Sequence, residues 1–502
     1  MSDAPRTFLC SRGYAVLKSE IADEKLTQIK DELVVRPFVP GAPASVQKQF
    51  YAYRESSSKL YIPRHFGEKH FGPIQQYKVS HGMDLDIAFS GELRQDQLIS
   101  ANNYLDAVKS EHGGGGLLEL PCGFGKTTIS LYIVAALKKK TIVIVNQESL
   151  LNQWVERIQQ FIPGARVGRL QGQTIDIEDK DIVIAMLQSL SMKEYELSIF
   201  ESFGLTIIDE VHHISSEKFS NALFKLVTKY MLGLSATMER KDGTSSVFKM
   251  FLGDVVCKVK RGGDDNVLVR GIRYSSQDSE FNEMLYDYRG NPQFSTMITK
   301  LCTFNDRSEF IVRVVRDMMI ECPEQQIMIL AHNKNLLTYL HDAISHRDIA
   351  TVGYYIGGMK ASARKLTEGK QIVIATYAMA AEGLDIKSLT TLMMVTPRSE
   401  IEQAVGRILR IKRKQPVVVD IIDSHDCFQK QWLKRKRFYK SQNYKIVETT
   451  SSKYLSTNAW TTTYDPDAAA SKKRGKHILS TPRDDDDDDD NTTKSKVGVC
   501  LI

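Results

Sequence analysis

The segment PCGFGKTT, residues 121–128, carries the residue types that a phosphate-binding loop needs. Gly123 and Gly125 let the backbone curl so that its N–H groups point inward at an anion. Lys126 can then reach the β- and γ-phosphates of a nucleotide, and the Thr127 hydroxyl can bind Mg²⁺. A helical pattern follows, and its N-terminus adds a favourable dipole for an anion. The segment therefore predicts nucleoside triphosphate binding.

Two carboxylates end the apolar run in LTIIDEVHH, residues 205–213. A carboxylate at a strand end beside a phosphate loop can hold Mg²⁺, and a second one can polarise the attacking water. We therefore assign Asp209 to the metal and Glu210 to the water. The alternative for the loop is a Gly-rich turn with a surface lysine, since Leu120 replaces the first glycine of the usual pattern. His212 and the histidine after it do not predict a metal pair, because adjacent side chains point apart.

Two further segments could contact a nucleotide. QAVGRILR places Gln403, Arg407 and Arg410 at i, i+4 and i+7, on one face of a predicted helix. Two guanidinium groups presented together suit a triphosphate and stabilise charge that develops in phosphoryl transfer. The alternative is a surface helix that is simply basic. In LRQDQ, Gln97 could bind adenine through its amide, or it could be an ordinary polar surface residue.

The elements that position these residues are short runs that are apolar at every position. Such runs are typical of strands buried on both faces, and helical patterns lie between them. Repeated strand–helix–strand units predict parallel sheets, so the fold class is α/β with two tandem parallel-sheet domains. The runs are residues 141–145, 181–186, 205–209 and 230–235 in the first set, and 326–332, 371–377, 390–395 and 416–422 in the second.

We divide the chain into four parts. Residues 1–90 form a small α+β accessory module, with a helix predicted over residues 18–32, and its aromatic residues either contact DNA or form its own core. Residues 91–260 form the nucleotide-binding domain and residues 261–450 the second α/β domain. Residues 451–502 are predicted to be a disordered tail, because seven adjacent aspartates (484–490) cannot be buried. KKRGK in this tail is a solubilising cluster or a nuclear localisation signal.

Composition excludes several protein classes. The 502 residues are 42% hydrophobic and 25% charged, which is typical of a globular protein and not of a collagen or coiled coil. The seven cysteines form no CxxC pair, which argues against a zinc site and against a secreted disulfide framework. No apolar stretch is long enough to predict a membrane span, and we expect an intracellular protein. The net charge of +6 is too small to establish a nucleic-acid partner.

The order of LRQDQ, PCGFGKT, DEVH, SAT, AEGLD and QAVGRILR resembles the superfamily 2 helicases and translocases over residues 90–425. PCGFGKT, DEVHH and LGLSATMERKDG are similar to the XPB branch of double-strand DNA translocases. Two segments of the chain, IKDELVVRPFVPG and RFYKSQNYKIVE, resemble the transcription helicases of large nucleocytoplasmic DNA viruses of the poxvirus and asfarvirus type. The resemblance implies two RecA-like domains, an ATP and Mg²⁺ requirement, and DNA as the partner.

The resemblance also implies roles for individual residues. The catalytic group is Lys126, Asp209, Glu210, Arg407 and Arg410. The nucleotide contacts are Gln97, Pro121, Cys122, Gly123, Phe124, Gly125, Lys126, Thr127, Thr128, Gly383, Asp385 and Gln403, with Thr127 and Asp209 on Mg²⁺. The residues that couple hydrolysis to motion are His212, Ser235 and Thr237. The contacts with the nucleic-acid backbone are Gln153, Gln188, Ser189, Gly357 and Thr376.

The predicted function is therefore an ATP-dependent DNA helicase or translocase, with double-stranded DNA favoured, acting in viral transcription such as elongation, termination or transcript release. The transcription machinery would be its protein partner, and no membrane partner is expected. The resemblance places it in the virion and the cytoplasmic viral factory, or in the nucleus. The alternatives are an RNA helicase, a recombination or repair translocase, and a nucleic-acid-binding scaffold that no longer hydrolyses ATP.

Overall fold

The computed structural model describes residues 5–38, 49–212, 217–239, 242–260, 265–381, 384, 386–409 and 415–468. Within these residues the chain forms three main sheets in chain order, a small one and two eight-stranded ones. The two large sheets are almost entirely parallel and carry helices on both faces, so the α/β fold class with two RecA-like domains is confirmed. None of the described helices is long and apolar enough to span a membrane.

The first sheet belongs to the N-terminal region, and its strand order is β5-β6-β2-β1-β7, with β3 and β4 forming a separate pair. Its elements are β1 Thr7–Cys10, β2 Gly13–Leu17, α1 Asp23–Glu32, β3 Val34–Val35, β4 Phe50–Tyr51, β5 Arg54–Glu55, β6 Lys59–Ile62, α2 Arg64–Phe71 and β7 Gln76–Tyr77. The predicted helix over residues 18–32 is in fact a 3₁₀ turn, Lys18–Glu20, followed by α1.

The second sheet has the order β11-β10-β12-β9-β13-β14-β8-β15, and all its strands are parallel except β11. Its elements are α3 Gln95–Ala107, β8 Gly114–Glu119, α4 Lys126–Leu137, β9 Thr141–Val145, α5 Glu148–Phe161, β10 Val167–Gln171, β11 Thr174–Ile175, β12 Ile182–Met186, α6 Leu187–Met192, β13 Leu205–Ile208, α7 Glu217–Leu223, β14 Tyr230–Ser235, α8 Ser245–Leu252 and β15 Val255–Lys258.

The third sheet has the order β18-β19-β17-β20-β21-β16-β22-β23, and only β23 is antiparallel. Its elements are β16 Leu268–Tyr274, α9 Ser279–Asn282, α10 Phe294–Thr303, α11 Asn305–Glu321, β17 Ile327–Ala331, α12 Lys334–His346, β18 Val352–Tyr355, α13 Ala361–Glu368, β19 Ile372–Thr376, α14 Tyr377–Ala381, β20 Thr391–Met394, α15 Glu402–Arg407, β21 Val417–Asp423, α16 Asp426–Ser441, β22 Lys445–Thr450, α17 Ser451–Ser456 and β23 Thr461–Tyr464.

All eight predicted apolar runs form central strands. β9 and β12, for example, are buried at every position. Because both faces of a parallel sheet are covered by helices, its strands need apolar residues at consecutive positions. The strands could be predicted from the sequence by this pattern.

The prediction that a tail begins at residue 451 is wrong. α17 starts at Ser451 and packs its buried Tyr454 into the second domain, and β23 then adds to the edge of β22. The Ser/Thr-rich composition of this stretch suggested a loop, but threonine is also frequent in edge strands. Residues 469–502, with KKRGK and the seven aspartates, lie outside the described residues.

Candidate active site

The phosphate loop lies between β8 and α4, as its sequence predicts. Gly123 and Gly125 have φ values of +80° and +98°, in the left-handed region that favours glycine. Gly125 is the N-cap of α4, so the loop leads directly into a helix N-terminus. The loop therefore has the backbone conformation and the helix dipole that anion binding requires.

The carboxylates that follow β13 face this loop. The Lys126 Nζ atom lies 2.7 Å from Glu210 Oε1, and both side chains are largely buried. Burial is the largest single influence on the pKa of Lys126 and would lower it, but the Glu210 carboxylate and the other groups nearby, Asp209 among them, together hold that pKa above its ordinary value. Burial is likewise the largest influence on the pKa of Glu210 and would raise it, but Lys126, with smaller contributions from His212 and Arg407, brings that pKa below its ordinary value. The site thus holds a charged ammonium–carboxylate pair.

Asp209 is buried beside Glu210 and accepts a hydrogen bond from the indole of Trp154, with 3.0 Å between Nε1 and Oδ2. Burial, followed by the neighbouring Glu210 charge, raises the pKa of Asp209. Trp154 lies on α5 and is almost completely buried. Its neighbour Gln153 is one of the residues predicted to contact the nucleic-acid backbone. The Trp154 side chain orients the carboxylate that we assign to Mg²⁺, a role that nothing in the sequence revealed.

Glu210 also has an unusual backbone conformation, with φ at +53°. A non-glycine residue in this region costs free energy, and such strain is common where a side chain is held in a functional orientation. Here the turn directs consecutive carboxylates toward two different partners, the Trp154 indole and the Lys126 ammonium.

A chain of contacts connects Glu210 with the end of β14. Glu210 Oε2 lies 3.5 Å from Nδ1 of His212, and the same nitrogen lies 3.0 Å from Ser235 Oγ. The Ser235 hydroxyl donates to the Thr237 carbonyl at 2.7 Å. The three residues predicted to couple hydrolysis to motion are thus brought together next to the predicted water-activating carboxylate.

The second domain reaches the phosphate loop through α15. A methyl group placed on Gly406 would come within 2.7 Å of Cys122 Cβ, so the helix and the loop are in close contact. The next residue, Arg407, is buried and donates from Nε and Nη1 to the carbonyls of Ala380 and Leu384. Its positive charge contributes to lowering the pKa of Glu210. The predicted arginine therefore lies beside the predicted catalytic glutamate.

Two of the three residues predicted to share a helix face lie on α15. Gln403 and Arg407 are four residues apart in this helix, Glu402–Arg407, and so share one face. Arg410 lies outside the described residues, as do Gly383 and Asp385.

Gln97 contacts the phosphate loop itself. Its amide nitrogen donates to the Phe124 carbonyl at 2.7 Å, and its amide oxygen accepts from the Arg94 backbone N–H at 3.1 Å. Arg94 also donates to the Phe124 carbonyl and lies over the Phe124 ring. The side chain of Gln97 is buried, so it holds the loop in place, in addition to any contact with adenine.

The donor set fits a Mg²⁺ ion that arrives with a nucleotide. Mg²⁺ prefers oxygen ligands and is usually held by one or two protein groups together with substrate phosphates. Asp209 and the Thr127 hydroxyl supply such groups, and the buried Glu210 Oε2 accepts no hydrogen bond from the described residues. The described part of the chain contains no cluster of three or more His, Cys, Asp or Glu side chains that could form an all-protein metal cage.

The predicted nucleic-acid contacts lie at the carboxyl ends of strands. Gln188 and Ser189 are in the first turn of α6, directly after β12, and Gln153 lies on α5, after the neighbouring β9. In the second domain Thr376 ends β19 and Gly357 follows β18, which pairs with β19. Each set therefore lies on elements that follow the carboxyl edge of one sheet.

The comparisons with known proteins agree with this geometry. Residues 90–240 match the family described as type III restriction enzyme, res subunit. "Putative ATP-dependent RNA helicase L396" of Acanthamoeba polyphaga mimivirus is 33% identical over 458 residues, which are 89% of this chain and 87% of that protein. The chain belongs to the viral superfamily 2 helicases.

Other helicases match with lower identity. "Putative helicase 161L" of Invertebrate iridescent virus 6 is 26% identical and covers 85% of this chain and 98% of its own length. "Putative ATP-dependent RNA helicase QP509L" of African swine fever virus, isolate Warthog/Namibia/Wart80/1980, is 27% identical over 88% of this chain and 91% of its own. The similarity to helicases thus covers nearly the whole chain, well beyond residues 90–240 of the family match. It supports an ATP-dependent helicase.

Proposed function

We propose that this helicase is a nucleic-acid-stimulated ATPase that translocates on DNA, with duplex DNA as its preferred track, and that it acts in viral transcription. The observation that supports an active ATPase best is the buried pair of Lys126 and Glu210 with Arg407 of the second domain beside it. The similarity of PCGFGKT, DEVHH and LGLSAT to the XPB branch supports DNA. The resemblance of two segments to the transcription helicases of large DNA viruses supports the transcription machinery as partner, and the viral relatives support a place in infected cells.

The residues that we assign to the reaction each have a defined task. The triphosphate would replace Glu210 as the partner of Lys126, which would leave the Glu210 carboxylate to orient and polarise the attacking water. Arg407 would stabilise the negative charge that develops on the γ-phosphoryl group. Asp209 and Thr127 would hold Mg²⁺, which neutralises phosphate charge when bound. Gln97 would keep the phosphate loop in its binding conformation.

The coupling residues supply the route from chemistry to movement. His212 lies between Glu210 and Ser235, so a change at the γ-phosphate alters the hydrogen bonds at the end of β14. Closure and opening of the cleft between the phosphate loop and α15 would then alternate the grip of the two domains on the nucleic-acid backbone. Binding mainly through phosphates predicts weak sequence preference and a steep dependence on salt.

A second candidate function is that of an RNA helicase, because the mimivirus and African swine fever virus relatives carry that description in their names. The two candidates share the ATP site and differ in the polymer that stimulates it. A recombination or repair translocase would use the same machinery, and a scaffold without hydrolysis would bind nucleic acid without turnover.

The decisive experiment is steady-state ATP hydrolysis by the full chain without polymer, with duplex DNA, with single-stranded DNA and with RNA. We expect the largest stimulation by duplex DNA and a loss of at least 100-fold in kcat for Glu210→Gln and Lys126→Ala. Stimulation by RNA alone would establish the second candidate. DNA binding without turnover under any condition would leave the scaffold.

A further inference from the structure

The outer face of α16 carries a row of cations that the ATP site does not use. Lys430, Lys434 and Arg437 follow one another at i, i+4 and i+7 and are all exposed, and Lys440 lies one turn further along. At 1.5 Å per residue the row from Lys430 to Lys440 is about 15 Å long. We call these four residues the α16 stripe.

The inner face of the same helix is fixed by buried contacts. Trp432 is completely buried, and Arg435 forms a buried ion pair with Asp420 at 2.7 Å. Tyr439 donates to the same carboxylate, and Arg435 also donates to the Arg398 carbonyl. These contacts fix the rotation of α16 about its axis, so the orientation of the stripe is fixed as well.

The cations of the two faces differ in their partners. Arg435 on the inner face is paired with Asp420, and Lys436, at the edge of that face, is paired with Glu448. Lys430, Lys434 and Arg437 form no ion pair with any carboxylate in the described part of the chain. A helix face that serves only solubility usually mixes both signs or pairs its charges at i and i+4. The stripe has one sign, and Asp426, the exposed carboxylate four residues before Lys430, forms no ion pair with it among the described residues.

α16 begins near the sheet edge that carries the proposed nucleic-acid contacts of the second domain. α16 starts right after β21, and the carboxyl end of β21 lies at the sheet edge where β19 ends with Thr376. α16 lies on the same face of the sheet as α14 and α15, because all three pack into one hydrophobic cluster. The stripe therefore begins close to the edge that carries the proposed backbone contacts and runs away from it.

We propose that the α16 stripe is a phosphate-binding surface that extends the nucleic-acid track of the second domain. A duplex carries about one negative charge per 1.7 Å of axis with both strands counted, so about 15 Å of duplex carries roughly nine phosphates, of which the stripe would face a part. Lysine and arginine side chains spaced one helical turn apart can neutralise several of these without reading bases. The inference rests on the proposed function for its ligand, a nucleic-acid backbone.

The test measures nucleic-acid binding by the full chain without ATP, over a range of salt concentrations, with a short DNA duplex, a single strand and an RNA. The variant is Lys430→Gln, Lys434→Gln and Arg437→Gln combined. The control, Lys69→Gln, Lys109→Gln and Lys249→Gln combined, removes the same charge from exposed positions outside the second domain. We expect the stripe variant to bind roughly 10- to 100-fold more weakly at low salt and to lower the slope of log K against log salt by about two to three.

The control variant should keep the slope of the unmodified chain. Equal slopes for the stripe variant and the control would overturn the proposal. The sequence contains another candidate occupant, the seven aspartates 484–490. A further variant therefore replaces these aspartates by asparagine in the otherwise unmodified chain. The proposal is wrong if this variant binds nucleic acid more tightly while the stripe variant binds it as tightly as the control variant. The stripe would then hold the acidic run. Binding is measured without ATP, so the outcome does not depend on whether the chain hydrolyses ATP.

Discussion

At the scale of single residues, the site depends on side chains that orient the reacting groups. Asp209 is the clearest case, since burial and the adjacent Glu210 raise its pKa while the Trp154 indole partly offsets that increase by a hydrogen bond to the charged form. The acid limb of kcat/KM reports essential groups of the free enzyme. Activity should therefore fall on acidification at a pH above the ordinary range of an aspartate.

Trp154→Phe should move this acid limb to higher pH. The substitution removes the donor that stabilises ionised Asp209, so the pKa of Asp209 rises further. The measurement is the pH profile of kcat/KM for ATP. Trp432→Phe is the matched control, because that indole is also buried but its Nε1 has no hydrogen-bond partner among the described residues. Identical profiles for both variants would contradict the assigned role of Trp154.

Gln97→Ala should raise KM for ATP by about tenfold and change kcat little. The variant leaves the Phe124 carbonyl and the Arg94 N–H without the bonds that Gln97 provides, and each such loss costs on the order of 1 kcal/mol. Gln97→Glu is the informative companion, since it keeps the acceptor for Arg94 and loses the donor to Phe124. A purely surface role for Gln97 would leave KM unchanged in both variants.

At the scale of elements, the contact between α15 and the phosphate loop decides whether the cleft can close. Gly406→Ala places a methyl group 2.7 Å from Cys122 Cβ, a distance that forces the two elements apart. We expect kcat to fall by at least tenfold, because a displacement of the Arg407 side chain by about 1 Å is costly in catalysis, while ATP binding to the first domain persists.

Two further variants show whether the effect comes from this contact. Gly164→Ala introduces the same methyl group into open space and should leave activity unchanged. Combining Gly406→Ala with Cys122→Gly removes the atom that the methyl group would strike, and should restore part of the lost kcat. If the combined variant is no better than Gly406→Ala alone, the contact is not the cause.

A buried ion pair holds α11 against the sheet edge of the second domain. Arg307 and Asp423 lie 2.6 Å apart and are fully buried, and Arg307 also donates to the Val395 carbonyl. Arg307→Met would leave the Asp423 charge buried and unpaired, so we expect a destabilisation of about 3–5 kcal/mol. Arg347→Met, which breaks an exposed pair with Glu309, should cost less than about 1 kcal/mol. Urea unfolding monitored by circular dichroism would compare them, and equal midpoints would refute the distinction.

The elements that were predicted correctly are those whose structure depends on neighbouring residues. Consecutive apolar residues indicate the buried strands, and the closely spaced glycines indicate the phosphate loop. The role of Trp154 depends on a partner far away in sequence. Trp154 lies 55 residues from Asp209, and only the packing of α5 against the sheet brings the two together. The same reason explains β23, which forms because β22 offers an unpaired edge.

At the scale of the whole molecule, the N-terminal region and the first α/β domain share one core. Many buried residues of both, such as Tyr14 and Phe66 in the first and Phe224 and Phe248 in the second, belong to one hydrophobic cluster, while the opposite face of the large sheet packs into another. Arg64 is buried and donates to the carbonyls of Lys229 and His112, and the Arg54 guanidinium lies over the Phe224 ring. Of the aromatic residues that could have contacted DNA, Phe50 and Tyr61 are buried and Tyr51 is half exposed. Most of this region therefore serves packing.

This shared core predicts that the two parts unfold together. Deleting residues 1–80 would expose the apolar residues of the first domain that they cover and remove the Arg64 contacts, so we expect a single, much lower thermal midpoint for the ATP-binding domain and a loss of ATP binding. Differential scanning calorimetry with and without ATP measures both. Deleting residues 469–502 provides the control and should leave the midpoint unchanged, because the seven adjacent aspartates of this segment are expected to stay in solvent. A truncated chain that retains its midpoint and its response to ATP would show that residues 1–80 are an independent module, as a sequence-based division at residue 90 assumes.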